Sequence, residues 1–154
     1  MAFNPVDTVD TALTTLQAIL GVFDRSIAIG VVNMTSFTLN LVNSDGNTNF
    51  TSGGYQNGNL PSPSIPPQTA DVFGTTNTAP TTGVVGVIHY TATDLDGNDA
   101  GIEIDLNFAN PFIGSDHYEQ NVNVTNIPAA TFSVNVIGSV GNNSQVEYVI
   151  QAAL

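Results

Sequence analysis

The chain has 154 residues, with one arginine, no lysine and 13 acidic residues, for a formal charge of −12. That charge argues against binding nucleic acid by phosphate neutralisation and against docking on anionic lipid through a basic patch. The absence of cysteine excludes disulfides, thiolate metal sites and cysteine catalysis.

Hydrophobic residues make up 42% of the chain and charged residues only 9%, which is a globular composition and leaves solubility to Asn, Thr, Ser and Gly. No run reaches the ~18 consecutive apolar residues of a constitutive membrane span. The N-terminus lacks a basic region followed by an unbroken apolar core, so it does not read as a signal peptide. The first element is an amphipathic helix from Pro5 to Phe23. Asn4 is a cap residue and Pro5 suits the first helical position, while Asp7 and Asp10 lie near the positive end of the dipole. Val6, Val9, Leu13, Leu16, Leu20 and Phe23 recur in steps of three and four and form one apolar stripe. The opposite face is rich in threonine, so the helix needs a surface to lie on. That surface is either its own body, or its body first and something else after release.

Everything that follows reads as β. Ser26 to Asn33 is dense in β-branched residues, and Ser36 to Asn43 alternates Phe37, Leu39 and Leu41. From Asn43 to Gln68 the chain is turn-rich, and four of its eight prolines fall between Pro61 and Pro67. A short strand is expected at Ala70 to Phe73. Gly83 to Thr93 is apolar on both faces and reads as a central strand. The LDGND segment is a hairpin turn rather than a calcium loop, because strands and not helices flank it. It leads into Ile102 to Phe108. Asn110 to Gln120 reads as a loop, and strands follow at Asn121 to Asn126, Thr131 to Ile137 and Gln145 to Ala152. At hairpin spacing this makes about eight or nine strands and a β-sandwich. The expected organisation is a single domain over 1–154, helix 5–23 followed by sandwich 25–154. Glu103 and Asp105 alternate with apolar neighbours and face solvent, and His89 is a strand residue. No nucleophile elbow, phosphate loop or zinc motif is present, so no enzymatic activity and no cofactor are expected.

Four segments occur in a particular order behind the helix. They are Arg25 to Gly30 (RSIAIG), Thr82 to Tyr90 (TGVVGVIHY), Asp96 to Asn98 (DGN), and Pro111 with Phe112. This order resembles the actinoporins, the pore-forming cytolysins of sea anemones, and their relatives in other kingdoms. The resemblance runs from Val6 to Val124. It implies a mainly-β, actinoporin-like sandwich with one N-terminal amphipathic helix. It also implies binding to sphingomyelin-containing membranes, self-association there, and insertion of the helix through Val6, Val9, Leu13, Leu16, Leu20 and Phe23. The loops equivalent to the family's headgroup site contain Ser52 and Tyr55, and Pro111, Phe112, Asp116, His117 and Tyr118. These are the candidate lipid- or glycan-binding residues.

The chain departs from the family pattern by having no tryptophan, and by carrying only NIPAA where the family places a second helix. Lectins of mushroom fruit bodies share a similar sandwich and bind glycans, so fold alone leaves function open. The readings are a pore-forming cytolysin, a non-lytic lectin or lipid-binding module, or a self-assembling structural protein. Its expected course is secretion or release without a visible signal peptide, as a soluble protein that then meets a target-cell membrane.

Overall fold

The computed structural model describes residues 5–42, 49–125 and 131–153. Among these residues one helix, α1 (Pro5–Leu20), precedes eleven strands. Five form one sheet: β1 (Ser26–Met34), β4 (Gly54–Tyr55), β6 (Thr69–Thr76), β10 (Thr131–Gly138) and β11 (Asn143–Ala153). The other sheet holds β2 (Thr38–Val42), β3 (Phe50–Ser52), β5 (Ser64–Ile65), β7 (Val84–Thr93), β8 (Asp99–Asn110) and β9 (His117–Val124). The first sheet runs β10-β11-β1-β6-β4 and the second β5-β2-β7-β8-β9, with β3 added against β7. Among the described residues, only β1 and β11 pair in parallel; the other ladders are antiparallel. The expected mainly-β sandwich with a single N-terminal helix is the observed architecture.

Period-2 alternation builds the core. Ile27, Ile29 and Val31 of β1 meet Ile88 and Tyr90 of β7 and Ile102, Ile104, Leu106 and Phe108 of β8 between the sheets. Val146, Tyr148 and Ile150 of β11 complete that layer. β1 is buried along nearly its whole length because it is covered on both sides. Its other face, Ala28 and Val32, lies with Val149 under the helix stripe Val9, Leu13, Leu16 and Leu20. Gly30 sits directly beneath the helix. A Cβ there would lie 2.7 Å from Val9 Cγ1 and 3.1 Å from Leu13 Cδ1, so the close seating of α1 depends on glycine.

Several boundaries differ from the sequence reading. α1 ends at Leu20 rather than at Phe23. Gly21 interrupts it, and the chain closes in a tight turn in which the Phe23 amide donates to Leu20 O. Phe23 still packs at the margin of the helix seam. Val6 lies in the helix, but its side chain is outside the described residues, as is the NIPAA segment. The turn-rich stretch contains three short strands, β3, β4 and β5, each recruited by a longer neighbour. The segment read as a loop up to Gln120 becomes β9 from His117 onward.

The loop end and its cleft

One end of the sandwich gathers four segments: the turn after α1, the 77–82 loop, the 111–116 loop and the 139–142 loop. The 111–116 loop is held close to the start of β7. A Cβ on Gly83 would come within 2.6 Å of Phe112 N and 2.7 Å of Asn110 O, so only glycine lets the two backbones approach this far. Below it, Asn110 is 1% exposed. Its amide donates to Ser26 O, Gly141 O and Asn142 O at 2.9–3.1 Å, tying β8 to β1 and to the 139–142 loop. Those bonds give buried backbone carbonyls a donor where β1 begins and the 139–142 loop meets it.

Above this floor lies a cleft of about 330 Å³ lined by Arg25, Asn110, Pro111, Phe112, Asp116 and Val140 with neighbouring backbone. Arg25 is the only cation of the chain. Its guanidinium lies 4.7 Å from the centre of the Phe112 ring, a cation–π distance. It donates to the carbonyls of Asp24 (2.7 Å), Phe112 (3.1 Å) and Pro111 (3.4 Å). Among the described residues no carboxylate forms an ion pair with it. Its positive charge is therefore held by dipoles and a ring but is not neutralised. Three of its five N–H donors are engaged, which leaves two for a ligand.

The rim of this end is apolar and wet. Val22 is 85% exposed, Ile113 88%, Val140 80% and Phe112 37%. Phe112 and Val140 line the cleft, and Val22 and Phe23 border the adjoining hollow that continues past Asp24 to Pro80.

The expected site residues are only partly brought together. Pro111, Phe112 and Asp116 share the cleft. Asp116 acts on its shape, since its carboxylate accepts the Gly141 amide at 2.9 Å and pins the 139–142 loop. Ser52 does not line the cleft, but its hydroxyl donates to Gly83 O at 3.0 Å and so supports the strand start beside it. Tyr55 packs edge-on against Phe50 and Phe73 at the margin of the core. His117 stands exposed at the start of β9 with Nδ1 near Ser115 O. Tyr118 is a half-buried strut whose hydroxyl donates to Ser139 O (3.0 Å) and lies 2.8 Å from Ser144 Oγ. Burial pushes its phenol up to about 12, against the lowering effect of the Ser144 hydrogen bond and with help from the Asp116 charge. Arg25, Asn110 and Val140 were not foreseen as parts of one site. The signal that pointed to Arg25 was its being the single cation in an acidic chain.

A second hollow lies on the outer face of the other sheet, lined by Val42, His89, Tyr90, Thr91, Glu103 and Asp105. His89 Nδ1 and Asp105 Oδ1 are 2.5 Å apart across β7 and β8. Among the described residues, no group of three or more His, Asp or Glu side chains is placed to hold a metal ion. The DGN hairpin is a turn in which Asp94 Oδ1 accepts the amides of Asp96 and Asn98.

No family model and no curated protein matches the chain. Among solved structures it is similar to the lipid binding protein Nakanori, with a TM-score of 0.72 and 13% identity over 94% of this chain and 79% of that one. It is also similar to RahU protein, solved in complex with a Tris molecule, with a TM-score of 0.57 and 12% identity over 86% of this chain and 98% of that one. At these identities the likeness is one of fold.

Proposed function

We propose that this protein binds membrane lipid through the loop end. The observation that carries the reading is the grouping of exposed Val22, Phe112, Ile113 and Val140 around the one cation of the chain. Apolar tips of this kind enter the interfacial layer of a bilayer, where an aromatic ring is also at home. Arg25, with two donors to spare, is suited to the phosphate of a lipid headgroup. The charge of −12 repels anionic membranes, so the fitting partner is a zwitterionic phospholipid, of which sphingomyelin is one. The lipid-binding character of Nakanori, a protein of similar fold, supports the same reading.

The finer reading is a cytolysin that oligomerises on the membrane and inserts α1. The 16 residues of α1 span about 24 Å, against ~30 Å for the hydrocarbon core. No helix among the described residues is long and apolar enough to cross a membrane by itself. Insertion therefore requires several helices whose threonine faces line water. What favours this reading is the attachment of α1: it belongs to no strand pairing, so it can leave without breaking a sheet.

The test is flotation and dye release with phosphatidylcholine–cholesterol and sphingomyelin–cholesterol vesicles. Ile113→Ser with Val140→Ser is expected to cut vesicle binding tenfold or more while leaving thermal unfolding unchanged; binding unaltered by this pair and by Arg25→Gln would refute docking by this end. Val9→Cys with Gly30→Cys offers a lock on the helix, because a Cβ added at position 30 would lie 2.7 Å from Val9 Cγ1, a spacing that a disulfide can use once the branched valine is replaced. A cytolysin loses dye release when this pair is oxidised and regains it on reduction, with binding intact. Binding without release from the unmodified protein identifies a non-lytic lipid module, and sugar-competed binding without vesicle binding identifies a lectin.

A further inference from the structure

The seam between α1 and its sheet contains a carboxyl pair with no cation near it. Alternation along β11 sends Val146, Tyr148 and Ile150 into the sandwich core and Val149 toward the helix. Glu147 shares the helix side with Val149. It lies opposite Gly30 of β1 and Ile137 of β10, beside the glycine over which Val9 and Leu13 of α1 are seated. It is 4% exposed, and its Oε1 has no hydrogen-bond partner. Its carboxyl does meet Asp10 of α1 by a side-chain hydrogen bond. β1 and β10 contain no titratable residue. In β6 the one such group, Asp71, is engaged by the amide and hydroxyl of Ser62. Among the described residues, Asp10 is thus the titratable group that faces Glu147, and the one arginine, Arg25, is held at the loop end by the carbonyls of Asp24, Pro111 and Phe112.

Two carboxylates in contact cannot hydrogen-bond to one another unless one of them keeps a proton. We propose that Asp10 and Glu147 form a proton-operated latch on α1. With one shared proton the pair bridges helix and sheet; when that proton leaves to solvent, two negative charges oppose each other across the seam and the helix loosens. Burial first, and then the hydrogen bond and charge of Asp10, raise the Glu147 carboxyl from its usual 4.5 to about 7. A group raised in the folded state contributes its full stabilisation below 4.5 and loses it as pH climbs through about 7. The helix is therefore held most firmly in mild acid and most loosely in mild alkali. This inference concerns what holds α1 and stands independently of what the loop end binds.

The chain has no cysteine, so Leu16→Cys supplies a unique buried thiol on the helix stripe, in the same helix as Asp10. Its labelling rate reports opening of α1. The rate is measured from pH 5 to pH 8.5 in two full-length proteins that differ only by Glu147→Gln, whose amide donates to Asp10 at every pH. Intrinsic thiol chemistry cancels in the ratio of the two rates. The ratio is expected to lie near one at pH 5 and to rise more than threefold by pH 8.5. A ratio that rises by less than threefold overturns the latch. If Glu147→Gln does not fold, Asp10→Asn at its exposed helix position carries the same comparison, with the same two outcomes.

Discussion

On the first sheet, the outward residues Ala28, Gly30 and Val32 of β1, Ala70 and Val72 of β6, and Val149 of β11 are covered by α1. On the second sheet, the outward residues His89 and Thr91 of β7 and Glu103 and Asp105 of β8 stand in the open, bordering a shallow hollow. The two sheets share one core, yet one outer face is built from small apolar residues and the other from polar ones. Small residues let a helix approach closely but bring little apolar area of their own. Most of the docking energy therefore resides in the leucines of α1, and a polar face needs only cross-strand pairs.

Three measurements sharpen or break this contrast. The largest effect is expected on the covered side. Leu13→Ala removes a fully buried side chain from the seam and should lower unfolding free energy by about 2–5 kcal/mol in a denaturant titration. A loss under about 1 kcal/mol would mean that the helix contributes little to holding the fold. Next in size is a pH-dependent gain. Because the raised carboxyl of Glu147 loses its contribution as pH climbs through about 7, Glu147→Gln should raise the melting temperature at pH 8.5 by a few degrees and leave it unchanged at pH 4. A gain of equal size at both values would assign the effect to packing rather than charge. The smallest effect belongs to the open face. His89 and Asp105 are each more than a third exposed, and Asp105→Asn should cost no more than about 1 kcal/mol, less still in high salt. A salt-resistant loss beyond 2 kcal/mol, on the scale of a fully desolvated pair, would show that the open face is not merely solvated.

Much of this architecture is legible in the residues, and the gaps have physical causes. β1 and β7 announce themselves because long runs of β-branched residues leave few alternatives. The apolar stripe of α1 identifies the face that packs. It misplaces only the helix end, since Phe23 keeps the spacing and still reaches the seam from beyond Gly21. The strands β3, β4 and β5 are two or three residues long and lie among glycines and prolines, where tertiary pairing rather than propensity creates the strand. β9 escapes notice at His117 to Gln120 because its polar outer residues mask the inward Tyr118. At the loop end, Pro111 and Phe112 could be read as a site because a proline followed by an aromatic residue after that strand resembles the actinoporin headgroup loop. Arg25 could not be joined to them, for the two segments lie 86 residues apart and meet only through the topology.

The parallel pairing of β1 with β11 also has a consequence for the newborn chain. Ser26 and Asn143, which face each other in that ladder, are separated by 117 residues. The seat of α1 includes Val149, and Gln17 of the helix donates to Asn143 O. During synthesis the helix is made first and its seat is completed last. Until β11 emerges, the stripe of Val9, Leu13, Leu16 and Leu20 has no full surface to cover it, and any apolar surface nearby competes for it. The seat of the helix is therefore complete only once β11 has been made, and a partner that shields the stripe until then would keep it from other apolar surfaces.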